Sequence, residues 1–192
     1  MNNENNLFSD KLIVEKIVSG NTQAFAIVVK NTERLVAQIV RKMVNNQEDQ
    51  KDLAQEIYLK VYQNISSFKF QSKLSTWIGT IAYNATINHL EKKKIALYDI
   101  DTMHENIFVQ NETIEKEIFK KELVQLLNTE IDKLPALYKT LISLYHIEEL
   151  TNKEISEITN LPEGTIKSYL YRARKILKDN LENNYKKSEY GK

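Results

Sequence analysis

Apolar residues recur every three or four positions along most of this chain, and that spacing admits helices and little else. Strands would need alternation at every second residue, bounded by turn signals. Only four glycines and two prolines punctuate the 192 residues. Leu, Ile, Val and Tyr are plentiful and separated by polar stretches, which favours amphipathic helices. We therefore expect an all-α fold. A hydrophobic share of 42% supplies apolar material for one or two modest cores.

The periodicity predicts a first helix over Ser9–Ser19, stopped by Gly20, and a second over Thr22–Val44. Phe25, Val28, Val29, Val36, Ile39, Val40 and Met43 would form the buried side of the second. A third covers Glu48–Asn64. Residues 66–73 lack helical spacing and read as a loop. A fourth helix runs from Ser75 to Lys94, with Trp77 spaced as a core residue beside Ile78 and Ile81. After a weakly patterned stretch, a fifth covers Thr113–Asp132. Pro135 suits the first turn of a sixth, ending at His146. Thr151 and Glu154 form a capping box for a seventh, ending at Thr159; Asn160–Gly164 is a turn, and Thr165–Lys178 is the eighth.

Charge is segregated along the chain. Net charge is +1, but residues 1–94 carry +4, residues 95–132 carry −6 and residues 133–192 carry +3. Two basic units around an acidic connector suit two anion-binding domains, although segregated solvated charge gives the same tally. With no cysteine in the chain, disulfides, thiolate zinc sites and cysteine nucleophiles are excluded, and a reducing cytoplasm is the expected compartment. No apolar run is long enough to cross a bilayer, and MNNENNLFSD does not read as a secretion signal. His89, His104 and His146 lie in no metal-ligand spacing, and no phosphate-binding glycine loop or nucleophile elbow occurs. We expect no enzyme activity, no cofactor and no metal.

The segment TNKEISEITNLPEGTIKSYLYRARKIL has the pattern of a helix-turn-helix. Ile155 and Ile158 face inward from its first helix, Leu161 fills the corner, and Ile166, Leu170 and Ala173 line the inside of its second. Asn160 stands where the backbone must turn left-handed, which Asn tolerates. From Gly164 to Lys178 there are five cations and no anion. Thr165, Lys167, Ser168, Tyr171, Arg172, Arg174, Lys175 and Lys178 are the candidate duplex-DNA residues, with Arg172 and Arg174 suited either to guanine edges or to phosphates.

These residues resemble region four of the sigma-70-like initiation factors of RNA polymerase, in particular the extracytoplasmic-function (ECF) group. The resemblance rests on Leu134-Pro135, Glu154-Ile155, Gly164-Thr165-Ile166-Lys167-Ser168 and Arg172-Ala173-Arg174. The N-terminal half resembles region two of the same family, through Gly20 with Ala24-Phe25, Asp52-Leu53 with Gln55-Glu56, and Phe68 followed by Ser75-Thr76-Trp77-Ile78 and Ile81-Ala82-Tyr83-Asn84. The sequence departs from the family at Thr159, where a large apolar residue is usual, at Asn160, often Gly, and at Glu91, in place of a cation.

The resemblance implies two small helical domains, 8–94 and 123–182, joined by an acidic linker over 95–122, with the C-terminal domain a helix-turn-helix. It implies core RNA polymerase and promoter DNA as partners and an anti-sigma protein as a further candidate, with no membrane insertion. Asp52, Gln55, Glu56 and Tyr58 match the polymerase-docking face; without the resemblance they would read as solvent surface. The upstream, minus-35 element would be read as duplex by the eighth helix. The start-proximal, minus-10 element would be read as opened strand by Lys69, Phe70, Gln71, Ser72 and Lys73, with Asn84, Asn88, Lys92 and Lys93 on the following helix. Phe70 suits either a base or the interior. The linker suits either the polymerase channel or a solvated tether. The rival reading is a self-sufficient helix-turn-helix regulator that binds duplex operators without polymerase.

Overall fold

A computed structural model of the chain describes the backbone of residues 2–97 and 117–190, and side-chain surroundings over residues 9–93 and 124–182. The described residues form eight α-helices and a single 3-10 turn: α1 Asn2–Val18, α2 Thr22–Met43, α3 Gln47–Asn64, the turn Ile65–Ser67, α4 Leu74–Leu97, α5 Glu117–Asp132, α6 Ala136–His146, α7 Asn152–Thr159 and α8 Glu163–Tyr190. Most of the acidic linker expected over 95–122 lies outside the described residues, while α4 and α5 reach into its two ends.

Local chemistry sets the helix ends. Gly20, at φ +93°, closes α1 with its N–H on the Ile17 carbonyl (2.9 Å) and that of Asn21 on Lys16 (3.0 Å). The Asn21 side chain then caps α2 through the Ala24 N–H, 3.0 Å away, and the Asn46 side chain caps α3 through Glu48 and Asp49. Helix α4 is capped from another element: Asp10 of α1 accepts the Leu74 N–H at 2.8 Å, and α4 begins one residue earlier than the spacing predicts. Pro135 sits one position outside α6, at its N-cap.

The first four helices bury Ile39, Ile57 and Ile78, and the last four bury Leu141, Leu144, Ile155, Ile166, Leu170 and Ala173. These two sets belong to one continuous cluster, because α2 packs on α6 and α4 on α7. The buried face of α2 differs from the expected one. Phe25 and Val29 are half-buried, whereas Leu35 and Thr32 are buried. Gly79 lets α7 approach α4 closely, since a Cβ there would lie 2.9 Å from Ile158 Cδ1. Around this seam Arg34 pairs with Glu148 (2.8 Å), Lys42 with Asp132 (2.7 Å) and Lys73 with Glu154 (2.6 Å), and Thr80 donates to the Glu157 carbonyl (3.2 Å).

Candidate nucleic-acid interface

Helices α7 and α8 form the helix-turn-helix. Thr151 accepts the Glu154 N–H at 3.2 Å, and Glu154 accepts the Thr151 N–H at 2.9 Å, completing the capping box. Asn160 adopts φ 57°, the left-handed conformation expected of it. Ser156 donates to the Leu161 carbonyl at 2.6 Å and fastens the corner. Gly164, expected in the turn, lies in the first turn of α8 instead. Pro162 sets the entry, its carbonyl accepting the Ile166 N–H at 3.1 Å. Thr159, where the family usually has a large apolar residue, is buried with its hydroxyl bonded to the Ile155 carbonyl at 2.7 Å, so its polar atom is satisfied internally.

Ile166, Leu170, Ala173 and Leu177 fix the inner face of α8. Lys167, Ser168, Tyr171, Arg172, Arg174, Lys175 and Lys178 are exposed on the other side, and Thr165 is half-buried at its edge. Tyr171 stands 69% exposed, an aromatic ring with no role in the core. Among the described residues, Lys167, Arg172 and Lys175 meet no carboxylate at ion-pair distance; Lys178 lies 3.6 Å from Glu182. Arg174 lies against the end of α6, beside Tyr145 and His146.

The loop after α3 is partly packed. Phe68 is buried, Phe70 packs on it at 4.8 Å with the rings tilted by 55°, and Trp77 also packs on it at 5.3 Å. Trp77 is therefore half-buried at the core's edge rather than interior. Phe70 holds φ 58°, a strained value for an aromatic residue. Beside these rings lies an open hollow of about 350 Å³, lined by Val14, Val18, Phe68 and Phe70 with Glu15, Ser19 and Ser66 at its polar side. The sequence reading missed the α1 contribution, because no local signal places that helix against the loop. Lys69 and Gln71 are exposed, whereas Ser72 and Lys73 are half-buried. On α4, Asn84, Asn88, Lys92 and Lys93 are exposed or nearly so, but Lys93 is paired with Asp49.

On α3, Asp52, Gln55 and Glu56 share the exposed face, joined by Leu59 and Tyr62, which are 57% and 42% exposed. The last two were not singled out from the sequence. Tyr58 points elsewhere: its hydroxyl lies 3.1 Å from Thr32 Oγ1 and donates to the Val29 carbonyl at 3.3 Å, and burial raises its pKa. The Lys60 ammonium, hydrogen-bonded at 2.6 Å, holds the Glu56 carboxyl below its ordinary pKa. No helix among the described residues is long and apolar enough to cross a membrane, and no cluster there has the makings of a metal site.

A capped helix-turn-helix with a cationic outer face, seated on a second helical unit, has the architecture of a DNA-binding protein. Residues 28–95 match Sigma-70 region 2, and residues 125–177 match Sigma-70 region 4. The ECF RNA polymerase sigma factor SigW of Bacillus subtilis is 35% identical over 88% of this chain and 94% of its own length. The ECF RNA polymerase sigma-E factor of Haemophilus influenzae is 29% identical over 91% of this chain and 96% of its own. Among solved structures, the fold is shared with the sigma factor RpoE of Bartonella quintana in complex with the anti-sigma factor NepR. That likeness has a TM-score of 0.64 at 23% identity and covers 82% of this chain and 96% of that one. It is shared also with CnrH in complex with the cytosolic domain of CnrY, at a TM-score of 0.63 and 19% identity, covering 91% and 97%. The chain belongs to the ECF RNA polymerase sigma factors. As a sigma factor, it directs RNA polymerase.

Proposed function

We propose that this chain brings core RNA polymerase to promoters in the cytoplasm by reading two elements with two separate parts. The unit over 123–182 reads the upstream element as duplex, with α8 in the major groove. The unit over 8–94 reads the start-proximal element as opened strand, and residues 95–122 join them. The observation that carries this reading is the outer face of α8, where five cations and an exposed Tyr171 stand over a fully apolar inner face.

The loop unit offers different chemistry. Extruding a base costs a few kcal/mol of unstacking, and a stacking surface with polar neighbours offsets it. The hollow beside Phe68 and Phe70 supplies that surface, with Lys69 and Gln71 exposed beside it. Asp52, Gln55 and Glu56, with Leu59 and Tyr62, form the surface that docks on polymerase, which supplies the chemistry. Both solved structures above are bound to a partner protein, one of them a named anti-sigma factor, which supports an anti-sigma protein as a further candidate partner of this chain.

The test is transcription by purified chain plus core polymerase on a genomic fragment library, scored for new start sites. Starts that share two spaced elements are expected. No new starts, with tight sequence-specific duplex binding by the chain alone, would establish the operator-binding regulator instead.

A further inference from the structure

Arg174 differs from the other cations of α8 in being held from the side by a group that carries no charge. Its Nε lies 3.2 Å and its Nη2 3.1 Å from Nε2 of His146, the last residue of α6. Its Cζ sits 5.3 Å from the centroid of the Tyr145 ring, and the Tyr145 and His146 rings meet edge to face at 4.9 Å. A guanidinium has donors and no acceptor, so the imidazole Nε2 must accept and its proton must sit on Nδ1. Burial and the neighbouring Arg174 charge both lower the pKa of His146, in keeping with a neutral ring. Arg174 is the charged group that faces the ring; Arg34 of α2, which reaches the same end of α6, is turned onto Glu148 and the Ile147 carbonyl.

The type of acceptor matters. Several other cations among the described residues are held by carboxylates, as Lys73 is by Glu154 and Lys93 by Asp49, and each such pair cancels the charge it orients. A neutral imidazole with an aromatic face orients the guanidinium and leaves its positive charge in place. It occupies the Nε edge and leaves Nη1 free, the arrangement suited to meeting a base edge or phosphate with a preset side chain. Resting on the assignment of α8 as the DNA-reading helix, we propose that His146, with Tyr145, is a positioning residue that presents Arg174 to promoter DNA.

The experiment uses holoenzyme assembled from core polymerase and the full chain, and measures affinity for a promoter fragment recovered in the library experiment. Freezing one long side chain beforehand is worth about threefold to tenfold in affinity. His146→Ala should therefore weaken binding by about threefold to tenfold, His146→Gln should largely restore it, because the amide oxygen can accept in place of Nε2, and His146→Ala should add nothing in an Arg174→Ala background. Losses that add in the double variant, or a His146→Gln as weak as His146→Ala with unchanged thermal unfolding, would overturn the proposal. If Arg174→Ala weakens binding and His146→Ala does not, the positioning role alone fails. If Arg174→Ala itself changes nothing, the DNA-reading role of Arg174 fails and the proposal with it. Should His146→Ala impair folding, nitrogen NMR of the intact chain decides the matter. Arg174→Ala should raise the titration midpoint of His146, and an unmoved midpoint would show that the two side chains do not meet.

Discussion

Gly79 offers a test of the seam between the two units in which the sign of the effect, and not only its size, is at stake. In an ordinary helix interior, Gly→Ala stabilises by about 1 kcal/mol, through backbone entropy. Gly79 lies in the second turn of α4, inside the helix, so Gly79→Ala should help if α4 stood alone. A Cβ there, however, would lie 2.9 Å from Ile158 Cδ1, 3.0 Å from Ile158 Cγ1 and 3.4 Å from Leu35 Cδ2. Ile158 is 1% exposed, so its end has nowhere to swing. Overpacking of this kind costs about 1–3 kcal/mol, which offsets or exceeds the helix gain and leaves a net loss of about 0–2 kcal/mol. Ile158→Ala costs about 2–5 kcal/mol by itself but removes the atoms that clash. In that background Gly79→Ala should become stabilising, by up to about 1 kcal/mol. Urea unfolding of the four chains reads this directly, with the slope monitored because two packed units need not unfold in one step. A gain of about 1 kcal/mol in both backgrounds would refute the reasoning, for it would mean that α7 does not press on α4 at this point.

Arg172→Ala should weaken promoter binding by about 1–3 kcal/mol if the side chain reads a base, whereas Lys175→Ala, if it meets phosphate, should weaken all sequences alike and make the salt dependence shallower by about one unit. Both are read by fluorescence titration of holoenzyme on promoter and scrambled fragments across a salt series. Burial acts to raise the Glu154 carboxyl, but hydrogen bonds from Lys73 and Thr151 outweigh it and leave its pKa below the ordinary 4.5. Its contribution is thus complete above pH 4.5 and lost as pH falls through the lower folded value; Glu154→Gln should flatten that part of the stability profile. Asp10 is the reverse case, its pKa raised chiefly by burial despite the Leu74 N–H and Lys73. Its charge therefore costs stability as pH rises past the ordinary 3.8. By urea unfolding at neutral pH, Asp10→Asn should be neutral or slightly stabilising, since the amide oxygen still caps α4, while Asp10→Ala should cost about 1 kcal/mol.

The helix-turn-helix was legible because its determinants are local. Thr151 and Glu154 cap within one turn, Asn160 turns within one residue, and Ile155, Ile158, Ile166 and Leu170 repeat at helical spacing. What the sequence hid depends on contacts between distant segments. Asp10 caps α4 from 64 residues away, so α4 starts where no local cap predicts it. Leu35 is buried beside Gly79 of α4, and Gly79 has no room for a side chain because Ile158 arrives there. Tyr58 follows Asp52, Gln55 and Glu56 in sequence, yet its hydroxyl reaches Thr32 on α2 and leaves the exposed face to Leu59 and Tyr62. Helical spacing places Tyr58 near the boundary of the buried stripe, and only the packing partner decides which way such a residue turns.

The pairing of cations separates the two proposed readers more sharply than their number does. In the N-terminal unit Lys73 and Lys93 are each bound to a carboxylate, so any phosphate they meet must displace Glu154 or Asp49. On α8, Lys167, Arg172 and Lys175 meet no carboxylate among the described residues, and Arg174 rests on an uncharged ring. Surface ion pairs of this kind are worth about 0.2–1 kcal/mol, too little to block binding but enough to rank two surfaces for the same anion. The proposed duplex-reading face thus presents three cations for which no carboxylate among the described residues competes. The proposed loop reader instead offers aromatic surface at Phe68 and Phe70 with the exposed Lys69, while its Lys73 is held by Glu154. Glu154 holds Lys73 through Oε1 and the cap of α7 through Oε2, which lies 2.8 and 2.9 Å from the Thr151 hydroxyl and N–H, so the ion pair and the capping box use different oxygens.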